Sequence, residues 1–168
     1  LSKTAQFFIG WGVILAVISL GLELATRMCA ETFFDPMPSL AHVVLVSFVP
    51  LAILWNWQQA WNGRIPHPFR TGFANGAAVG ISFVYMLLFL PIMPLAVPAI
   101  LIMGWGFLPM APMFSFIASI LCRQSLKRIL QGQNLKGVPG FRWGLAVAFG
   151  ALVLAEVPVA LTETGLHM

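Results

Sequence analysis

Seven side chains with chemical reach stand out in this chain: Glu23, Arg27, Cys29, Glu31, Asp35 and His42, grouped where two apolar runs meet, and Glu156 in a later run. A thiol, an imidazole and carboxylates are the groups of nucleophilic, acid–base and metal chemistry. Glu23, Arg27 and Glu31 recur every four residues, so on a helix they share one face and either acid can pair with the arginine between them. A Cys29–His42 pair would supply a nucleophile and its base, since a thiolate needs a neighbouring base or positive field. It would also need an oxyanion site, for which the chain offers no signature. The spacing of Cys29, Glu31, Asp35 and His42 matches neither paired Cys-x-x-Cys nor His-Glu-x-x-His, so no metal site is expected. No Gly-rich phosphate loop, nucleotide motif or triad signature is present, and no cofactor is implied.

The elements that must position these groups are strongly apolar. Hydrophobic residues make up 60% of the 168 positions, charged residues only 8%, and the mean hydropathy is +0.92. An ordinary soluble domain carries about 25% charge. The chain reads as a single polytopic membrane domain over residues 1–168, and its opening Leu1-Ser2-Lys3, without Met, reads as part of a longer protein. A net charge of +4 invites a nucleic-acid reading. The bases sit between apolar runs rather than along a solvated face, so no nucleic-acid partner is expected. The first run is too long for a secretory signal and lacks a small-x-small cleavage site before Cys29.

Five runs can be drawn. Phe7 to Leu24 spans about 27 Å as a helix, close to a bilayer core, and the helix is expected to continue to about Phe34. Asp35-Pro36-Met37-Pro38 ends it, because proline lacks the N–H and disfavours helix in the residue before it; Asp35 or Ser39 suits the cap of the next helix. The second run, Leu40 to Trp61, contains Pro50 and closes in Trp55, Asn56, Trp57, Gln58, Gln59, Trp61 and Asn62, a mixture that reads as an interfacial belt. The third, Phe73 to Leu90, is opened by Gly72, Gly76 and Gly80. This GxxxGxxxG spacing leaves a groove for close helix packing. The fourth, about Leu95 to Cys122, holds Pro109 and Pro112. Only about 14 Å of helix would follow Pro112 before the charged end, too little for a separate crossing. One kinked crossing is therefore expected, continued by a basic amphipathic end at Arg123, Lys127 and Arg128. The fifth is Trp143 to about Leu161.

Five crossings place Lys3, Arg64, Arg70, Arg123, Lys127, Arg128, Lys136 and Arg142 on one side and leave only Arg27 on the other. The positive-inside rule makes the first side cytoplasmic, so the amino end is inside and the carboxyl end outside. All five acids fall in the outer half or beyond it. Glu23 and Glu156 lie roughly 20–24 Å along their helices from the cytoplasmic edge. An unpaired charge in a bilayer core costs about 2.5–3.5 kcal/mol, so both are expected to turn inward beside Arg27. Cys29 and Cys122 fall near opposite faces and cannot form a disulfide with each other.

The sequence thus implies an all-α integral membrane bundle of five transmembrane helices, N-in and C-out, in a plasma or inner membrane. Arg123, Lys127 and Arg128 suit anionic inner-leaflet headgroups. The leading functional expectation is a non-enzymatic anchor or assembly domain of a larger membrane protein, with a membrane-protein partner or further copies of itself, presenting its carboxyl-terminal region outside the cytoplasm. Transport of a small solute or protons through Glu23, Arg27 and Glu156, or an enzyme using Cys29 and His42, are the alternatives.

Overall fold

A computed structural model of the chain describes residues 1–30, 36–90, 94 and 107–163. Within these, the surroundings of side chains 16, 19–30, 36–43, 88–89, 107–110 and 156–163 lie outside the description. Among the described residues there are five long helices: α1 Lys3–Ala30, α2 Pro36–Asn62, α3 Pro68–Phe89, α4 Phe107–Gly132 and α5 Phe141–Glu163. These match the five apolar runs in number and order. The helix expected to reach Phe34 is described to Ala30. α4 runs through Pro109 and Pro112 as one element and extends over the basic segment to Gly132.

Local chemistry explains the helix ends. Ser2 caps α1, its Oγ accepting the Ala5 N–H at 3.1 Å, which satisfies one of the four free donors of a first turn. Pro68 occupies the opening of α3, where its missing N–H costs nothing. α4 ends on Asn134 in the left-handed region (φ 61°). There the Leu135 N–H donates to the Leu130 carbonyl at 2.9 Å and the Asn134 N–H to that of Gln131 at 3.1 Å. This is a Schellman stop, and Leu135 packs on the apolar cluster that holds Leu130.

The bundle is arranged around α2 and α3. α2 touches all four other helices, α3 packs against α2, α4 and α5, and α1 lies along α4. Val49 and Ile53 of α2 meet Ala77 and Ile81 of α3, Ala118 and Cys122 of α4, Ile9 of α1, and Ala148 and Leu152 of α5 in one core. α3 and α5 run parallel at very short range. A Cβ at Gly72 would overlap the Pro139 carbonyl, one at Gly76 the Phe141 carbonyl, and one at Gly80 would stand 2.9 Å from the Ala148 Cβ. The contact is reciprocal: a Cβ at Gly140 would overlap the Phe69 carbonyl, and one at Gly144 that of Phe73. Gly72, Gly76 and Gly80 therefore face a second small-residue row, Gly140, Gly144 and Ala148, with the same four-residue repeat. α1 approaches α4 similarly, since a Cβ at Gly12 would lie 2.6 Å from the Ala118 Cβ.

Among the described residues, no helix is long and apolar enough to cross a membrane. The five-helix bundle is thus a feature of the structure, while the transmembrane character expected from the sequence has no support among the described residues.

Replacing Gly76 or Gly144 by alanine is expected to lower stability by about 1–3 kcal/mol or more, because the new methyl meets backbone that cannot turn aside. Gly150→Ala, where a Cβ meets nothing within 4 Å, is expected to be neutral or stabilising by up to about 1 kcal/mol through helix propensity. Thermal unfolding of the three variants beside wild type measures the contrast.

Candidate functional site

The side-chain surroundings of Glu23, Arg27, Cys29, Glu31, Asp35, His42 and Glu156 lie outside the description. Glu31 and Asp35 fall in the undescribed segment between α1 and α2. Glu23, Arg27 and Cys29 belong to α1, His42 to α2 and Glu156 to α5, with side-chain surroundings that are not described. Among the described residues, no group of three His, Cys, Asp or Glu is placed to hold a metal ion.

What the structure does build is a buried, uncharged polar seam through α2, α3 and α4. Asn56, Asn75 and Ser119 are 0% exposed, and Thr71, Ser82 and Ser115 are nearly so. The seam follows from helical spacing. Thr71, Asn75, Ala78 and Ser82 recur at one face of α3, and Ser115, Ser119 and Cys122 at one face of α4. The Asn75 Nδ2 donates to the Ser119 carbonyl at 3.0 Å, and the Ser115 Oγ donates to the Gly12 carbonyl at 3.3 Å. α2 and α3 form a hairpin across residues 63–67, so Asn56 and Asn75, roughly equidistant from its loop, sit at a similar level. Both polar side-chain atoms of Asn56, together with Thr71 Oγ1, Asn75 Oδ1, Ser82 Oγ and Ser119 Oγ, have no hydrogen-bond partner among the described residues. Amides and hydroxyls both donate and accept but do not titrate near neutrality. The seam can hold uncharged hydrogen-bonding groups; among the described residues it carries amides, hydroxyls and the buried Cys122 thiol.

Asn56 and Gln59 overturn one local expectation. Their place among tryptophans reads as part of an interfacial belt, yet both are buried. Trp55 and Trp61 point outward instead, and Trp57 lies between the two extremes, its ring meeting Trp61 edge-on at 6.1 Å between centroids. Asn56 and Gln59 thus turn inward while Trp55, Gln58, Trp61 and Asn62 turn outward and Trp57 packs against the core, a division that composition alone does not reveal.

A second feature is the bundle's basic end. The amino ends of α1, α3 and α5 and the carboxyl ends of α2 and α4 share it. Ile65 of the α2–α3 loop packs with Leu126 and Leu130 of α4, and the Gly72 and Gly140 contacts join the start of α3 to the start of α5. Lys3, Arg64, Arg70, Arg123, Lys127, Arg128, Lys136 and Arg142 all belong to this half of the bundle, and all are exposed. Of the three bases expected to touch headgroups, Arg123 lies over the Phe141 ring at 4.1 Å, a cation–π contact tying α4 to α5. Lys127 is free of such a ring contact among the described residues. Arg128 lines a cavity of about 290 Å³ between the starts and ends of α1, α2 and α4, together with Leu1, Ser2, Ala5, Ala60, Leu121, Gln124, Ser125 and Ile129.

Comparison with protein-family models, with curated proteins and with solved structures found no match.

Asn75→Leu is expected to cost about 0.5–1.5 kcal/mol through loss of its bond to Ser119, whereas Asn56→Leu, which removes an amide without a protein partner, is expected to leave stability equal or higher. Unfolding in a denaturing detergent measures both. Cys122 is 0% exposed, so in a Cys29→Ser background a polar maleimide should leave it unmodified until the bundle is unfolded.

Proposed function

We propose that the chain is a membrane-embedded, non-enzymatic helical domain that anchors or assembles a larger membrane protein. In this reading its basic end faces the cytoplasm, its fourth helix bends near Pro109 and Pro112, and its carboxyl end emerges on the far side of a plasma or inner membrane. One observation carries the reading: the outward faces of the helices are strongly apolar, while polar side chains are buried inside the bundle beside its apolar core. The buried face of α3 and α4 holds Asn75, Thr71, Ser82, Ser115 and Ser119, while outward positions hold Leu, Val, Phe and Trp. On α1, Phe7, Trp11, Ile14 and Ile18 form an exposed stripe (57%, 43%, 49% and 46%) opposite the buried Ala5, Ile9 and Leu15. On α5, Trp143, Val147 and Leu154 do the same (68%, 51% and 72%) opposite Ala148, Leu152 and Ala155. A helix apolar on all sides belongs either to the interior of a large protein or to a bilayer, and so wide an apolar exterior is unusual for a soluble monomer.

The absence of a membrane-length apolar helix among the described residues is compatible with this reading. Each of the five runs that would cross includes residues whose surroundings are not described. The collection of eight bases at one end supplies the orientation, since basic residues accumulate on the cytoplasmic side. The outer stripes offer the surface for lipid tails, another membrane protein or a second copy of the chain. Transport of a small solute is a second reading, favoured by the buried amides and hydroxyls of the seam; solute uptake into vesicles that Asn75→Leu abolishes would select it.

The test is fractionation and sided labelling. The protein is expected to stay with membranes through an alkaline carbonate wash. In a background lacking Cys29 and Cys122, Lys136→Cys should react with an impermeant maleimide only after permeabilisation, and Thr162→Cys in intact cells. Extraction by carbonate would overturn the membrane reading; labelling of both positions from the same side would overturn the five-crossing orientation.

A further inference from the structure

We infer that the cavity at the basic end is a headgroup site for an anionic phospholipid, with Arg128 as the phosphate-binding residue. The inference rests on the membrane reading above and names the lipid partner of that end. The cavity, about 290 Å³, opens between the capped start of α1 and the last turns of α4. Its wall is divided. Arg128, Gln124, Ser125 and Ser2 supply polar groups, and Ala5 and Leu121 supply apolar ones. Ser125 already donates its hydroxyl to the Leu121 carbonyl at 3.1 Å, and Ser2 Oγ is engaged as the acceptor of the α1 cap. The Arg128 guanidinium, the Gln124 amide and the Ser2 O–H, which the cap leaves free to donate, are therefore the groups that meet a guest. A guanidinium presents a planar fork of donors matched to two phosphate oxygens, and an adjacent amide donates to a third.

Charge selects the guest. Glu23 lies in the far half of α1, and Glu156 and Glu163 in the far half of α5; among the described residues of the basic end there is no Asp or Glu. Lys3 and Lys127 flank the lining residues in sequence and add to a positive field that favours an anion with net charge over a zwitterion. The rest of the cavity wall is apolar, with Ala60 and Ile129 beside Ala5 and Leu121. A phosphate esterified to glycerol and acyl chains meets both parts of the wall, whereas a free phosphate meets only the polar one. Arg123 is excluded from the role by its position over Phe141.

The experiment uses the full chain in mild detergent, incubated with equal amounts of phosphatidylglycerol and phosphatidylcholine and read by native mass spectrometry. Wild type is expected to retain phosphatidylglycerol selectively. Arg128→Gln should lower that retention by about tenfold or more, the effect of losing one charge-assisted hydrogen-bonded contact. Arg142→Gln, an exposed base of the same end outside the cavity, should leave it unchanged, and both variants should melt with wild type. Equal retention of the two lipids by wild type, or equal losses in the two variants, would overturn the site. Release of the lipid by excess inorganic phosphate would assign the same groups to a soluble phosphate instead. Failure of the membrane reading is distinct, because it shows as carbonate extraction whatever the lipid selectivity.

Discussion

The bundle depends on backbone-to-backbone contact between α3 and α5. Gly72 and Gly76 on one helix and Gly140 and Gly144 on the other bring carbonyl groups to where a Cβ would otherwise stand, and Gly80 brings the Ala148 Cβ there. Such proximity gains dispersion energy along two full faces and needs no large side chain. It also fixes register. α5 starts where α3 starts, so the two run in parallel, and the α4–α5 loop must turn the chain back on itself within the basic end. The positive φ at Gly137 and Gly140 (86° and 80°) lets the loop make that return, and at Gly140 the lack of a side chain is required a second time by the Phe69 carbonyl.

With α3 pinned to α5, its opposite face is committed to α2 and α4, and that face carries Thr71, Asn75 and Ser82. A buried polar group without a partner costs about 1–3 kcal/mol in water-based measurements. Turned outward toward hydrocarbon, the same amides would fare no better. An apolar exterior is consistent with polar groups inside an otherwise apolar core: small hydroxyl and amide side chains between helices allow close approach and local hydrogen bonding, as Asn75 shows with the Ser119 carbonyl.

The basic end is the third consequence of the same topology. Five antiparallel and parallel segments with short connections at that end gather bases spread from Lys3 to Arg142 into one rim. Charges that repel are tolerated there because the side chains are exposed and water and counterions screen them. Arg123 adds a structural role by covering Phe141 at the entrance to α5.

By itself the sequence determined the number and order of the helices, their interruption by loops rich in proline and glycine, the small-residue face at Gly72, Gly76 and Gly80, and the one-sidedness of the bases. These are local or additive properties: apolar run length, turn residues and charge along the chain. Asp35-Pro36 and Gly63 punctuate in sequence what the helices do in space. It did not disclose that Asn56 and Gln59 turn inward while Trp55 and Trp61 turn outward, since a uniformly apolar helix has no amphipathic stripe to mark its inner face. Nor did it disclose that Gly140, Gly144 and Ala148 answer the α3 glycines, or that Arg128 lines a cavity while Arg123 stacks on a ring. Those assignments belong to the tertiary structure, because which face of a helix meets which neighbour is decided by how closely two backbones can approach, and that is a property of pairs of helices rather than of either one.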